Sequence, residues 1–330
     1  MTKLTRRHVL GAIALAGLAA GLAAVPGATP ARAAIQPMSV VATTGMIADL
    51  VRTVGGDRVR VRQLMGEGVD PHLYRATRTD IGAMLSSQIV FYNGLLLEGR
   101  LTDALVKIAT SGKPVFAVTE LIDESALLQP AGGEGHFDPH VWMDPRVWAL
   151  AVDVVREKLA QRDPAGAAVY EANAARLRDE IQRLDAYAEA LLNKTPPEQR
   201  VLVTAHDAFG YFGRRYGFEV LGVQGLSTES EAGLKQVEEL VSLLVKRRIP
   251  AVFVESTIPE RSVRALIAGA KAQRHEVIIG GELYSDAMGP PGTYEGTYVG
   301  MIDHNVTTIA RALGLKAPAG GFQGRLARKE

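Results

Sequence analysis

Short apolar runs alternate with amphipathic stretches along nearly the whole chain from Met38 onward. Residues 38–43 read as a strand, and Thr44-Gly45 leads into a helix over 46–54 that Gly55-Gly56 closes. Residues 59–64 alternate apolar and polar side chains, the pattern of a half-buried strand. A helix over 79–86, a strand over 89–92, a helix over 101–109 and a strand over 114–118 follow. Residues 119–137 show little periodicity. Asp144-Pro145 then opens a helix, with proline near its first turn, that runs through Trp148, Val152, Val155 and Leu159.

The pattern changes at Asp163-Pro164. Tyr170, Ala174, Leu177, Ile181, Leu184, Ala188 and Leu191 recur at alternating spacings of four and three, and no breaker intervenes before Pro196-Pro197. One helix over 164–194 would be about 46 Å long at about 1.5 Å per residue. A coiled coil, an ordinary long helix and a strut between two lobes all satisfy that stripe; the β/α patterns on either side favour the strut. Beyond it come a strand over 200–204, a helix through Phe212 and Tyr216, and a strand over 218–223. Next are a helix over 234–245 with Leu240, Leu243 and Leu244 inward, a strand over 251–254 and a helix over 259–270. A short strand over 276–279, a loop over 280–297 and a final helix over 298–313 complete the pattern, with a loose basic tail from Pro318. The expected fold is α/β: two β/α lobes with parallel four-stranded sheets, joined by one long rigid helix. The expected boundaries are 38–162 for the first lobe, 163–195 for the linking helix and 196–330 for the second lobe.

Composition adds a leader. Residues 1–33 read as an export signal, with Arg6-Arg7 in a twin-arginine n-region, an apolar run from Gly11 to Val25 and Ala31-Arg32-Ala33 as a small-x-small cleavage pattern. The apolar run is shorter than the ~20 residues of a spanning helix, which argues against a membrane anchor. Those residues hold four of the 37 basic side chains and none of the 36 acidic ones, so the remainder is slightly acidic and implies no nucleic-acid surface. Cysteine is absent, which excludes disulfides, thiolate zinc ligands and a lipid-modified cysteine. The expectation is an exported, soluble periplasmic monomer without a lipid anchor.

Seven histidines stand in the sequence: His8, His72, His136, His140, His206, His275 and His304. Two of them share a motif, Asp70-Pro71-His72-Leu73-Tyr74 and Asp138-Pro139-His140-Val141-Trp142. Proline fixes its own φ and pushes the preceding aspartate into extended backbone, so each imidazole comes from a stiffened loop, as a preformed metal site requires. His72, His140 and His206 fall in loops at strand carboxyl ends, the edge where open parallel sheets bind ligands. With two from one lobe and one from the other, a shared site would lie in the interlobe cleft. Neutral imidazoles around a dication call for an anionic partner. Asp286, Glu282 and Glu255 all compete for that place, and spacing alone does not choose among them.

These segments, with Thr204-Ala205-His206-Asp207-Ala208-Phe209-Gly210-Tyr211-Phe212 and Gly281-Glu282-Leu283-Tyr284-Ser285-Asp286, resemble the solute-binding proteins of zinc and manganese ABC importers. The resemblance covers essentially all of the chain after the leader. It implies His72, His140, His206 and Asp286 as ligands of one divalent metal, captured in the cleft and delivered to an inner-membrane ABC permease. Zinc-dedicated members tend to carry a long His-rich loop before the second ligand, where this chain has only His136. Manganese-dedicated members often have glutamate in place of His206, so the sequence resembles the mixed manganese/zinc branch. Three nitrogens and one carboxylate favour zinc slightly, while a bidentate Asp286 would suit manganese.

Glu255, Asp138 and Asp70 are candidate acceptors for the distal ring N–H groups of the histidines, and each is equally readable as a loop or cap carboxylate. Trp142 and Trp148 read as packing residues, His275 as a surface residue entering a strand, His304 as structural, and Thr228-Glu229-Ser230-Glu231 as a solvated loop. The rival class is a zinc-dependent hydrolase. Against it, the chain lacks His-Glu-x-x-His, Gly-x-Ser-x-Gly and a thiol nucleophile, so no catalytic residue or cofactor is expected.

Overall fold

The structure, a computed structural model, describes residues 36–130 and 135–327. The leader expected over 1–33 and part of the loop before His140 lie outside the described residues. In the first lobe, β1 (Met38–Ala42), β2 (Val59–Gln63), β3 (Ile89–Tyr92) and β4 (Val115–Ala117) form one parallel sheet in the order β2-β1-β3-β4. Helices α1 (Gly45–Gly55), α2 (Arg78–Ser86) and α3 (Thr102–Thr110) connect them. Thr44 caps α1 by accepting from Ile47 N–H, and Thr77 with Asp80 forms a capping box on α2. Asp144 and Pro145 start α4 (Pro145–Arg162), the aspartate accepting from Arg146 N–H.

The linking helix α5 (Ala167–Leu192) follows a single 3-10 turn at Pro164–Gly166, which takes up the first residues of the expected span. All seven stripe residues, from Tyr170 to Leu191, are buried. They join a core that also contains Trp148 and Val152 of α4, Leu50 and Val51 of α1, and Ile302 and Val306 of the C-terminal helix. Asp185 ties α5 to both halves of the fold, pairing with Arg146 of the first lobe at 3.0 Å and with Arg215 of the second at 2.7 Å. The helix is therefore packed along its length and tied at Asp185 to both halves of the fold.

The second lobe contains β5 (Val201–His206), α6 (Gly210–Tyr216), β6 (Glu219–Gln224), α7 (Leu234–Arg247), β7 (Ala251–Glu255), α8 (Arg261–Ala272), β8 (Ile278–Leu283) and α9 (Tyr298–Ala312). Its four strands are hydrogen-bonded as two parallel pairs, β5-β6 and β7-β8, where one four-stranded sheet was expected. Val203 and Ala205 of β5 still share one apolar core with Val252 and Val254 of β7. The last strand differs from expectation too. β8 continues through Gly280-Gly281, which the sequence suggests as the start of a loop. The register shifts opposite Val252 and Phe253, and a Cβ on Gly280 would stand 2.8 Å from the Phe253 ring. Glycine here allows close strand approach at a bulge. Among the described residues no helix is long and apolar enough to cross a membrane.

Candidate metal centre

All four candidate ligands sit at strand carboxyl ends. His72 lies on the loop after β2, His140 on the long loop after β4, His206 is the last residue of β5, and Asp286 lies three residues beyond β8. The Asp-Pro-His repeat has a common local geometry. Asp70 Oδ1 accepts from His72 N–H at 2.9 Å, and Asp138 Oδ1 accepts from His140 N–H at 2.9 Å. Each aspartate thus closes an Asx turn across a proline that has no N–H of its own, and the turn aims the histidine.

The fold brings the four side chains together. One ligand atom from each of His72, His140, His206 and Asp286 lies within 4.8 Å of the others, and all four residues are buried. The Nε2 atoms of His72, His140 and His206 lie 3.5, 3.4 and 3.2 Å from the Asp286 carboxylate. Two ligands at the usual zinc distances and a tetrahedral angle would be about 3.3 Å apart. Those three Nε2 atoms and both oxygens of Asp286 are buried without a hydrogen-bond partner. Five unpartnered polar atoms facing one point would be costly in a protein interior, and a shared cation satisfies all of them.

Behind the ligands stands a second layer of carboxylates. Asp138 Oδ1 also takes the Nδ1 side of His140 at 2.8 Å, and Glu255 pairs with Nδ1 of His206 while accepting its backbone N–H at 2.9 Å. Nδ1 is thereby held and Nε2 turned inward. Asp70 behaves differently from the expected imidazole acceptor: its second oxygen takes the hydroxyl of Thr228 at 2.6 Å. Of the competing carboxylates, Glu282 is exposed on β8 and Glu255 backs His206, so Asp286 alone enters the cluster.

The electrostatics follow from these neighbours. Burial would raise the Asp286 carboxyl, but the charges of His206 and His140 hold it well below the usual range. Burial would likewise lower His140, yet Asp138 and Asp286 outweigh it and hold the imidazole up at about 9. For His206, Glu255 and Asp286 overcome burial in the same way and raise it well above its ordinary value. Burial dominates at His72 and pushes it down to about 4.

Other histidines stand apart. His136 is exposed, His275 Nε2 pairs with the Ile249 carbonyl at 2.8 Å, and His304 Nε2 with the Glu282 carbonyl at 2.9 Å. Trp142 does more than pack. Its indole N–H reaches the Ser285 carbonyl, beside Asp286, at 2.9 Å, while its ring stands edge-on to His140 with centroids 5.3 Å apart. The partner lies 143 residues away, so no local pattern could have signalled it. The Asp286 loop is fixed further by Asn305, whose side chain bonds both the N–H and the carbonyl of Tyr284 at 2.9 and 2.7 Å.

Comparison with known proteins adds a family. The profile described as ZnuA, zinc-uptake complex component A, periplasmic, matches residues 40–312. The manganese-binding lipoprotein MntA of Bacillus subtilis is 48% identical over 282 residues, covering 86% of this chain and 92% of that protein. The zinc-binding protein TroA of Treponema pallidum is 43% identical over 308 residues, covering 93% and 99%. The structure of the periplasmic zinc-binding protein TroA from Treponema pallidum superposes with a TM-score of 0.82 at 45% identity, covering 84% of this chain and 99% of that one.

Proposed function

The chain belongs to the ZnuA family of periplasmic zinc-uptake components, and on that premise we propose that His72, His140, His206 and Asp286 together hold one divalent transition metal as cargo. The observation that carries this reading is the convergence of five buried, unpartnered ligand atoms on one point between the lobes. The cargo is zinc or manganese, since relatives at 48% and 43% identity carry a manganese-binding and a zinc-binding name. Three imidazole nitrogens favour zinc, and both oxygens of Asp286 face the histidines, which accommodates the higher coordination of manganese.

The protein acts as a monomeric exported carrier. It captures the metal in the cleft, closes modestly against the stiffness of α5 and passes its cargo to an ABC permease of the inner membrane. No cysteine occurs in the 330 residues, which supports a periplasmic carrier that bears no thioether-linked lipid. The family consists of transporter binding components rather than enzymes, and four protein ligands leave no position for a hydrolytic water. Calorimetric titration of metal-stripped protein tests the ligand set. One equivalent of zinc or manganese should bind the wild-type chain and raise its melting temperature, because a ligand of the native state alone stabilises it. Equal affinity in His206→Ala would remove that residue from the site.

A further inference from the structure

The two Asp-Pro-His loops are tied to the second lobe very unequally. The His140 segment is gripped at three points: Tyr211 Oη donates to the Asp138 carbonyl at 3.0 Å, Trp142 Nε1 to the Ser285 carbonyl at 2.9 Å, and Tyr298 Oη to the Trp142 carbonyl at 3.0 Å. Within its own lobe, Asn93 also holds the Pro139 carbonyl at 3.0 Å. His140, His206 and Asp286 therefore form a trio fixed across the cleft. The loop over 64–77 that carries His72 makes, among the described residues, one hydrogen bond to the second lobe, from Thr228 Oγ1 to Asp70 Oδ2 at 2.6 Å. Among the described residues, no carboxylate backs the His72 ring as Asp138 backs that of His140 and Glu255 that of His206.

We propose that Thr228 is a positioning residue for metal retention: its hydroxyl, acting through Asp70, latches the His72 loop onto the second lobe, and His72 is the ligand that engages last and leaves first. The connection is short. Thr228 donates to one oxygen of Asp70 and His72 N–H donates to the other, so a single rigid carboxylate links the second lobe to the backbone of a ligand. Thr228 is 7% exposed and Asp70 half-buried, so the bond is partly shielded from competing water. Hydrogen bonds to a carboxylate are the stronger kind, and this one bridges two elements that must separate for the cleft to open. The neighbouring pair Arg100–Glu229 crosses the same gap at 2.8 Å but lies exposed on the rim, where an ion pair contributes little. The hydroxyl is therefore the element of this loop whose loss should be felt at the metal.

The inference rests on the metal-site reading, and release kinetics separate the two. Zinc-loaded wild type, Thr228→Val and Thr228→Ser are mixed with excess EDTA, and metal loss is followed by stopped flow. Thr228→Val should release zinc about ten-fold faster, the scale of one lost charge-assisted hydrogen bond, and Thr228→Ser should stay near wild type. Metal-free Thr228→Val should melt somewhat lower, because the Asp70 carboxylate loses its donor, and Thr228→Ser, which keeps the hydroxyl, should restore both the melting temperature and the release rate. In an Asp70→Ala background, Thr228→Val should add nothing further. Wild-type release rates in Thr228→Val, or additive effects of the two substitutions, would overturn the latch while leaving the metal site standing. Failure of the wild type to hold zinc at all would instead sink the site assignment.

Discussion

The indole N–H of Trp142, in the first lobe, donates to the carbonyl of Ser285, in the second, and the residue after Ser285 is the proposed ligand Asp286. One hydrogen bond thus fixes the carboxylate of one lobe relative to the His140 imidazole of the other. Trp142→Phe keeps the ring against His140 but strands a buried carbonyl, at a cost of about 1–3 kcal/mol. Denaturant unfolding of the metal-free protein should register that loss. The affinity for zinc should fall alongside it, because Asp286 is less well held.

Replacing the carboxylate behind His206 should weaken metal binding without dismantling the fold. Glu255→Gln retains the shape of the side chain and removes the charge that orients the ring and raises its basicity. Loss of such outer partners typically costs about 10–100-fold in affinity. Calorimetric titration with zinc should show a decrease in that range, and an unchanged affinity would place Glu255 outside the working site.

Metal binding should expel protons. Despite burial, Asp138 and Asp286 hold the His140 imidazole up at about 9 and Glu255 and Asp286 raise His206 well above its ordinary value, so both favour the protonated form at neutral pH, whereas burial pushes His72 down to about 4. A metal at the three Nε2 atoms must displace about two protons, and affinity should fall as pH falls. Titrations in buffers of different ionisation enthalpy count the protons released. Stability of the metal-free protein carries the opposite dependence. A histidine whose folded pKa is raised contributes fully below its unfolded value of 6.5 and loses that contribution as pH rises through about 9. Asp286, held low, contributes above 3.8 and loses its share only as pH drops through its lowered folded value. Melting temperature without metal should therefore decline from about pH 6.5 to about pH 9.

The linking helix offers a packing test. Leu184 is fully buried among core residues of the protein. Leu184→Ala should lower unfolding free energy by about 2–5 kcal/mol through lost burial and a residual cavity. Zinc affinity at a temperature where the variant is folded should change little, since the site lies at the strand edges.

The parts visible in the sequence are those with local signatures. The stripe from Tyr170 to Leu191 follows one face of a helix, and the Asp-Pro-His repeat carries its own turn geometry. The carboxylate was different. Asp286, Glu282 and Glu255 lie in similar surroundings in the sequence, and only the fold turns Glu282 to solvent and sets Glu255 behind His206. Long-range bonds left no trace at all. Trp142 looks like packing until Ser285 is beside it, and Thr228 looks like solvated loop until Asp70 covers it. The strand through Gly280-Gly281 was hidden for another reason, because glycine is punctuation in most chains and here permits the approach of Phe253.

The most direct test of the four-ligand site is a crystal of the zinc-loaded protein measured on either side of the zinc absorption edge. A single anomalous peak should appear between the Nε2 atoms of His72, His140 and His206 and the carboxylate of Asp286, at about 2.0–2.2 Å from each. A peak elsewhere, or one from which any of the four side chains is turned away, would contradict the assignment.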